Sequence, residues 1–325
     1  MTACPVTPLT TLLMDTILLF YGRPTSSAAL SNLYNLRYVE EKKTGWSYHT
    51  GLYNNLRVNA YDTHVTITGS LPRFYFGSNL HTLTPAQVGE ALEQISDSLH
   101  IPTERASVYR LDAGLNIIVD LAPSEYIRGF DSLTSHERDE YGRSRGVVFR
   151  NKARAVIAYD KLAEVVDHKH EVPSQFQGKN VLRCEVQLKR RVKKQVGWGV
   201  TGEDLRSSVL HGRLLDILEE YFGKIRFRRI PLLPPAPDMA EFANSRMLLG
   251  IESRGGLAEE LRSLQQAYEA GLYDKRKRVY YNLRARLKLA YSSDRYSKAL
   301  DSEGYFRTRF CDELAKQRLL LERPS

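Results

Sequence analysis

"RAVIAYDKLAEVV", residues 154–166, is an apolar run that reaches Tyr159 and then crowds Asp160, Lys161 and Glu164 into the next five positions. The first half has the length and β-branched content of a buried strand. A turn accounts for the charges, but not for two other stretches built alike. "VYRLDAGLNIIVD" (108–120) and "NVLRCEVQLKRR" (180–191) also set an acid two residues after an arginine inside strand-like sequence. On a strand, residues two apart share a face, so Arg110 projects with Asp112 and Arg183 with Glu185, while Cys184 turns to the opposite face. If the three segments pair in one sheet, Tyr159 and Lys161 share a face and Glu164 folds back over the strand end.

The flanking sequence extends this sheet. "DTILLFY" (15–21), "RVNAYD" (57–62), "HVTITGSL" (64–71) and "RFYFG" (73–77) read as short strands separated by Gly, Asn or Pro. "TPAQVGEALEQISDSL" (84–99) reads as a helix, with Thr84 as N-cap, Pro85 at the first turn and Val88, Leu92, Ile95 and Leu99 at helical spacing. Strands with few helices between them predict an α+β domain built on a largely antiparallel sheet with flanking helices. After about residue 200 the periodicity turns helical, in 204–225, 257–272, 275–291 and 312–322, with a proline cluster in "RRIPLLPPAPDMAEF" (228–242). The expected organisation is therefore a sheet domain over 1–200 and a helical, basic region over 201–325, without internal repeats.

A length of 325 residues that are 42% hydrophobic allows a sizeable core, and a net charge of +9 favours a polyanionic partner such as nucleic acid. Cys4, Cys184 and Cys311 lie far apart without C-x-x-C spacing, so neither a zinc knuckle nor a disulfide framework is indicated. "LLMDTILLFYG" (12–22) is broken by Asp15 and lacks a basic run before it, so it reads as a first strand and not as a signal peptide or membrane span. The expected location is cytoplasmic.

Carboxylates gathered without cysteine suit Mg²⁺ or Mn²⁺, cations that commonly work on phosphate oxygens. A tyrosine beside them points to attack on a phosphodiester, with Lys161 or the metal helping to remove the phenolic proton. Each feature also has a structural explanation. An arginine two residues from an acid on a strand commonly makes a same-face ion pair, and a tyrosine ending a strand is commonly a core aromatic. "HKH" (168–170) carries a lysine between its histidines and sits in a polar stretch, which argues against metal binding. Lys189, Arg190, Arg191, Lys193 and Lys194 crowd the end of the third segment and can hold DNA phosphates, or form a solvated charged face. In "KRKRVYYNLRARLKLAY" (275–291), a helix sets Val279, Leu283, Leu287 and Ala290 on one side and Lys277, Arg284, Lys288 and Arg295 on another, again a candidate DNA contact.

The ordered set "RLD" (110–112), "AYDKLAE" (158–164) and "LRCEVQLKRR" (182–191), with "GSLPRFYFGSNL" (69–80), resembles the gene II/X replication initiators of filamentous bacteriophages. It is more distantly similar to the initiators of small rolling-circle plasmids. The resemblance spans roughly residues 60–195. It implies an enzyme that nicks one strand of a double-stranded origin through a tyrosine, Tyr159, and later rejoins the displaced single strand. It assigns Asp112, Glu164 and Glu185 to the divalent metal and matches Arg110, Lys161 and Arg183 to motif positions. It also implies a bacterial host cell and a host helicase as partner. The alternatives are a DNA-binding replication regulator without catalysis, and another tyrosine strand transferase of the relaxase or recombinase type.

Overall fold

A computed structural model describes residues 13–42, 45–80, 83–142, 145–168, 171–228, 238–274, 276–292 and 302–322. The strands are β1 (Leu13–Tyr21), β2 (Tyr34–Glu41), β3 (Trp46–Tyr53), β4 (Leu56–Tyr61), β5 (Val65–Ser70), β6 (Ser107–Val119), β7 (Phe130–Ser132), β8 (Glu137–Tyr141), β9 (Gly146–Arg150), β10 (Arg154–Asp160), β11 (Asn180–Leu188) and β12 (Arg226–Phe227). Ten of them form one sheet in the order β2-β3-β4-β5-β1-β6-β11-β10-β9-β8, with antiparallel neighbours. The helices are α1 (Ser27–Ser31), α2 (Leu71–Phe76), α3 (Pro85–Leu99), α4 (Pro123–Ile127), α5 (Lys161–Asp167), α6 (Val192–Val196), α7 (Ser208–Lys224), α8 (Met239–Ser253), α9 (Gly256–Glu269), α10 (Lys277–Ser292) and α11 (Ser302–Leu321). The protein is thus α+β, with a large antiparallel sheet and a helical C-terminal region. No helix among the described residues is long and apolar enough to cross a membrane.

Strand alternation sorts the sheet into two faces. Leu111, Ala113, Leu115 and Ile117 of β6 stand level with Leu188, Val186, Cys184 and Leu182 of β11, and all are buried. Val156 and Ala158 of β10 extend this apolar row, and α7, with Leu214, Leu215 and Leu218 buried, packs on β11 and β6. Cys184 takes the core side, as its place between Arg183 and Glu185 predicts. The intervening positions carry Arg110, Asp112, Asn116, Arg183, Glu185 and Tyr159 on the other face.

Helix α3 follows the expected signals. Thr84 accepts from the Gln87 backbone, the Gln87 side chain accepts from the Thr84 backbone, and Val88, Leu92, Ile95 and Leu99 are buried. "RFYFG" is helical and not a strand: Ser70 caps α2, Pro72 lies in its first turn, and Gly77 ends it at φ 75°. The aromatic content that favours a strand is outweighed by these local start and stop signals.

The described parts fall into two compact units, one built from Met1–Pro123, Ser132–Ile225 and Arg309–Ser325, the other from Ser124–Asp131 and Arg226–Thr308. The first unit continues past residue 200, because α7 lies on β6 and β11 and the end of α11 lies on α7. There Phe310 meets Phe222 at 5.2 Å, and Arg318 pairs with Asp216 and Glu219. In the second unit α10 buries Tyr280, Leu287 and Ala290, while Val279 and Leu283 are exposed. The buried side is therefore rotated from the expected one: Tyr280 sinks its ring against Tyr268 and bonds Gln265 through its hydroxyl.

Candidate active site on the central strands

Register brings the three motif strands together as predicted. Tyr159 stands opposite Arg183, which stands opposite Asn116; Glu185 faces Gly114, and Gln187 faces Asp112. Arg183 is wholly buried. It donates to Glu185 at 3.3 Å and to Asp15 at 3.2 Å, with Asn116 at 3.5 Å. To reach Asp15 on β1 the guanidinium crosses β6 above Gly114. A Cβ there would lie 3.0 Å from its central carbon and 2.9 Å from the Cys184 carbonyl, so the position requires glycine.

Asp15, Asn116, Gln187 and Gly114 complete the cluster and were not assigned to it from the sequence. The signal at Asp15 was its interruption of an apolar run. Between Met14↔Ala113 and Ile17↔Leu111 the register shifts, so Asp15 and Thr16 together oppose Asp112, a β-bulge that turns Asp15 toward the arginine.

The acids are each held by a cation. Arg110 donates from Nε and Nη2 to the two Asp112 oxygens at 3.0 and 2.6 Å. Glu185 receives Arg183 and, at 2.8 Å, Gln187. Glu164 meets the buried Lys161 ammonium at 2.8 Å. Among the described residues no three His, Cys, Asp or Glu side chains are grouped as one metal ion requires. As placed, Asp112, Glu164 and Glu185 do not fit a common Mg²⁺ or Mn²⁺. Asp160 accepts from the Ala163 backbone as N-cap of α5, which explains part of the charge crowding after Tyr159. Of "HKH", His168 bonds the Glu164 carbonyl at the end of α5, and Lys169 and His170 lie outside the described residues.

Tyr159 is 4% exposed and packs with Val148, Ala155, Ile157 and Tyr141. Its ring centroid lies 5.0 Å from that of Tyr141, and the Lys161 ammonium is 5.7 Å from it. Burial raises the Tyr159 pKa well above that of an ordinary phenol, Glu185 adds to this, and Arg183 opposes it. Tyr141 is pushed up to about 12, first by burial and then by Glu185 and Glu164. Lys161 is lowered by burial and by Arg183, against the pull of Glu164. For Arg183 burial disfavours the charge, but Tyr159, Glu185 and Asp15 outweigh it and raise the pKa.

Burial likewise raises Asp112 to about 7, outweighing Arg110, with Glu185 and Asp15 adding like-charge repulsion. A carboxyl raised in this way binds its proton more tightly when folded. Its stabilising contribution is present below the unfolded pKa near 4 and is lost as pH climbs through about 7. Asp112→Asn should therefore lose less stability than wild type between pH 4 and 8, by on the order of 2–4 kcal/mol in urea unfolding. Equal pH slopes for the two proteins would refute the assignment.

Lys189, Arg190, Arg191, Lys193 and Lys194 are all exposed just beyond β11, where the buried Val192 and Val196 anchor α6 with its two lysines outward. Lys189 is close enough to Arg110 for their charges to repel. Lys277, Arg284 and Lys288 are exposed on α10 in the second unit; Arg295 lies outside the described residues.

The arrangement is a buried lattice of alternating charge, Arg110–Asp112 and Asp15–Arg183–Glu185, ending at two tyrosines and a lysine. Such a site offers a nucleophile, fixed cations for a developing negative charge, and a basic approach for a polyanion. No curated protein matches the chain. The family model for the N-terminal part of the phage gene II replication-associated protein matches residues 34–211, just over half of the chain and all of this cluster except Asp15. With its motif strands paired in that order around one arginine, the chain belongs to this family, the gene II replication initiators of filamentous phages, and is a rolling-circle replication initiator.

Proposed function

We propose that the protein nicks one strand of its double-stranded origin by tyrosine attack and keeps the 5′ end as a phosphotyrosyl ester. In this reading Tyr159 is the nucleophile. Its phenolic oxygen bonds to phosphorus, the bond to the 3′ oxygen breaks, and that oxygen takes up a proton and leaves as a primer end. Lys161, whose pKa is lowered and whose nitrogen lies 5.7 Å from the ring centroid, accepts the phenolic proton as the neutral amine and, as the ammonium so formed, gives it to the departing 3′ oxygen. Arg183 stabilises the charge that develops next to it. Because the ester conserves the bond's free energy, the same site can rejoin the displaced strand by reversal. Lys189, Arg190, Arg191, Lys193 and Lys194, with Lys277, Arg284 and Lys288, hold DNA phosphates. Nicking does not unwind a duplex, so a host helicase is the partner this chemistry needs.

The observation that carries the reading is the register Tyr159–Arg183–Asn116, which sets a phenol beside a buried arginine in the middle of the family match. The burial of Tyr159 requires that DNA binding open the cluster before attack. Tyr141 supports a second reading: it lies on the edge strand β8, is only partly buried, and packs against Tyr159 with the rings tilted by 46°.

The test is incubation with supercoiled DNA carrying the replicon's own origin, in Mg²⁺, Mn²⁺ or EDTA. The expected product is an open circle with a covalent 5′ adduct that peptide mapping assigns to Tyr159. An adduct on Tyr141 would move the nucleophile to β8. Binding without cutting in any lane would favour a non-catalytic regulator. Loss of cutting in EDTA would mean that the acids regroup around an ion once DNA is bound.

A further inference from the structure

The sheet face that carries Arg110 continues across β1, β5, β4 and β3 as a row of aromatic rings. Register fixes this: Leu18 stands opposite Arg110, Phe20 opposite Thr66, Asn59 between Thr66 and Thr50, and Tyr61 opposite Tyr48. Tyr109 lies on Phe20 at 4.9 Å and 5°, Phe20 on His64 at 4.9 Å, His64 on Tyr61 at 4.2 Å and 11°, and Tyr61 on Tyr48 at 4.6 Å. Trp46 meets Tyr61 and His64 edge-on, at 6.0 and 6.1 Å. The inner rings hold one another, but both ends are open to solvent: Tyr109 and Trp46 are each 51% exposed.

A cross-strand pair such as Tyr48–Tyr61 stabilises a sheet by itself. At the two ends of the row Tyr109, stacked on Phe20, and Trp46, held edge-on by Tyr61 and His64, keep about half of their surface in solvent, and they are flat surfaces whose ordering cost the neighbouring rings have met. The surroundings of Tyr109 are cationic. Beside Tyr109 opens a cleft of about 550 Å³ whose walls include Lys189, Arg190, Arg191 and Lys193. Flat rings in a row beside guanidinium and ammonium groups match unpaired bases joined by phosphates. A duplex has its bases stacked on each other and cannot use such rings. Tyr109 also lies seven residues before Asn116, roughly 23 Å along β6 from the level of Tyr159.

We propose that this ladder binds single-stranded nucleic acid, with bases stacking on Trp46 and Tyr109 and the backbone held by the cleft beside Tyr109. The inference rests on the initiator reading for its biological substrate, the strand opened at the nick, but the binding itself can be measured apart from any cutting.

The experiment is equilibrium binding of fluorescein-labelled oligothymidylate and of the matching dA·dT duplex to wild type, Trp46→Ala, Tyr109→Ala, Trp46→Phe and Tyr109→Phe. Tyr38→Ala, at an exposed tyrosine on the opposite face, is the control. Each alanine change should weaken single-strand binding about tenfold and leave duplex binding and thermal melting unchanged. The phenylalanine changes and Tyr38→Ala should bind as wild type. Wild-type single-strand affinity in both alanine variants, or equal losses on duplex and single strand, would overturn the inference. Origin nicking by the same preparations separates the two readings. If wild type never forms an adduct but the ladder variants lose single-strand binding, the ladder stands and the initiator chemistry falls. If wild type nicks and the ladder variants bind single strands undiminished, the reverse holds.

Discussion

Tyr159→Phe is expected to abolish nicking and the covalent adduct, by at least ~10³-fold, while origin binding stays within about twofold of wild type. The change removes one oxygen from a side chain whose ring fills a cluster with Val148, Ile157 and Tyr141. The ring and its packing remain, so circular dichroism and the thermal midpoint should scarcely move. A loss of cutting with fold and binding kept would separate a chemical role from a packing role. Single-turnover cleavage of labelled origin DNA measures the first, and a filter-binding titration the second. If the variant still forms the adduct, Tyr159 is a core aromatic beside the site and its neighbour Tyr141 takes the chemistry.

The second large effect concerns stability. Arg183→Leu keeps an apolar stem in the core but strands Asp15 and Glu185, which are 7% and 5% exposed, without the cation between them. Breaking a buried ion network by deleting one partner costs about 3–5 kcal/mol, since the remaining charges stay desolvated. A urea titration at pH 8 should show that loss. Adding Asp15→Asn and Glu185→Gln to Arg183→Leu should recover much of it, because the stranded charges are then gone. A small effect of Arg183→Leu alone would mean that water or a rearranged lysine satisfies both acids. Absence of rescue in the triple variant would mean that Arg183 acts through its packing over Gly114 and not through its charge.

Much of the architecture was legible in the sequence because its signals are local. Alternation along 108–120, 154–160 and 180–188 placed Arg110 with Asp112 and Arg183 with Glu185 and turned Cys184 to the core. The capping box and apolar spacing of α3 lie within sixteen consecutive residues, from Thr84 to Leu99. The family followed from the order of three motifs, which needs no coordinates. "RFYFG" was misread because strand-like aromatic content hid a cap, a proline and a C-terminal glycine. The buried side of α10 differs from the expected one because Tyr280, which the aliphatic spacing passes over, is its deepest residue.

What the amino-acid sequence determined by itself is therefore six strands of the sheet, β1, β4, β5, β6, β10 and β11, the faces of the three motif strands, the basic run after β11 and the family, while β2, β3, β8 and β9 carried no signal that it read. What only the tertiary structure decided is which distant groups meet. Arg183 joins Asp15 across 168 positions of sequence, over a glycine that no periodicity singles out. Each acid of the expected metal site is bound to a cation, and Tyr159 is enclosed. The reason is that charge pairing and desolvation depend on which strands lie side by side, a non-local property settled when the sheet closes its register.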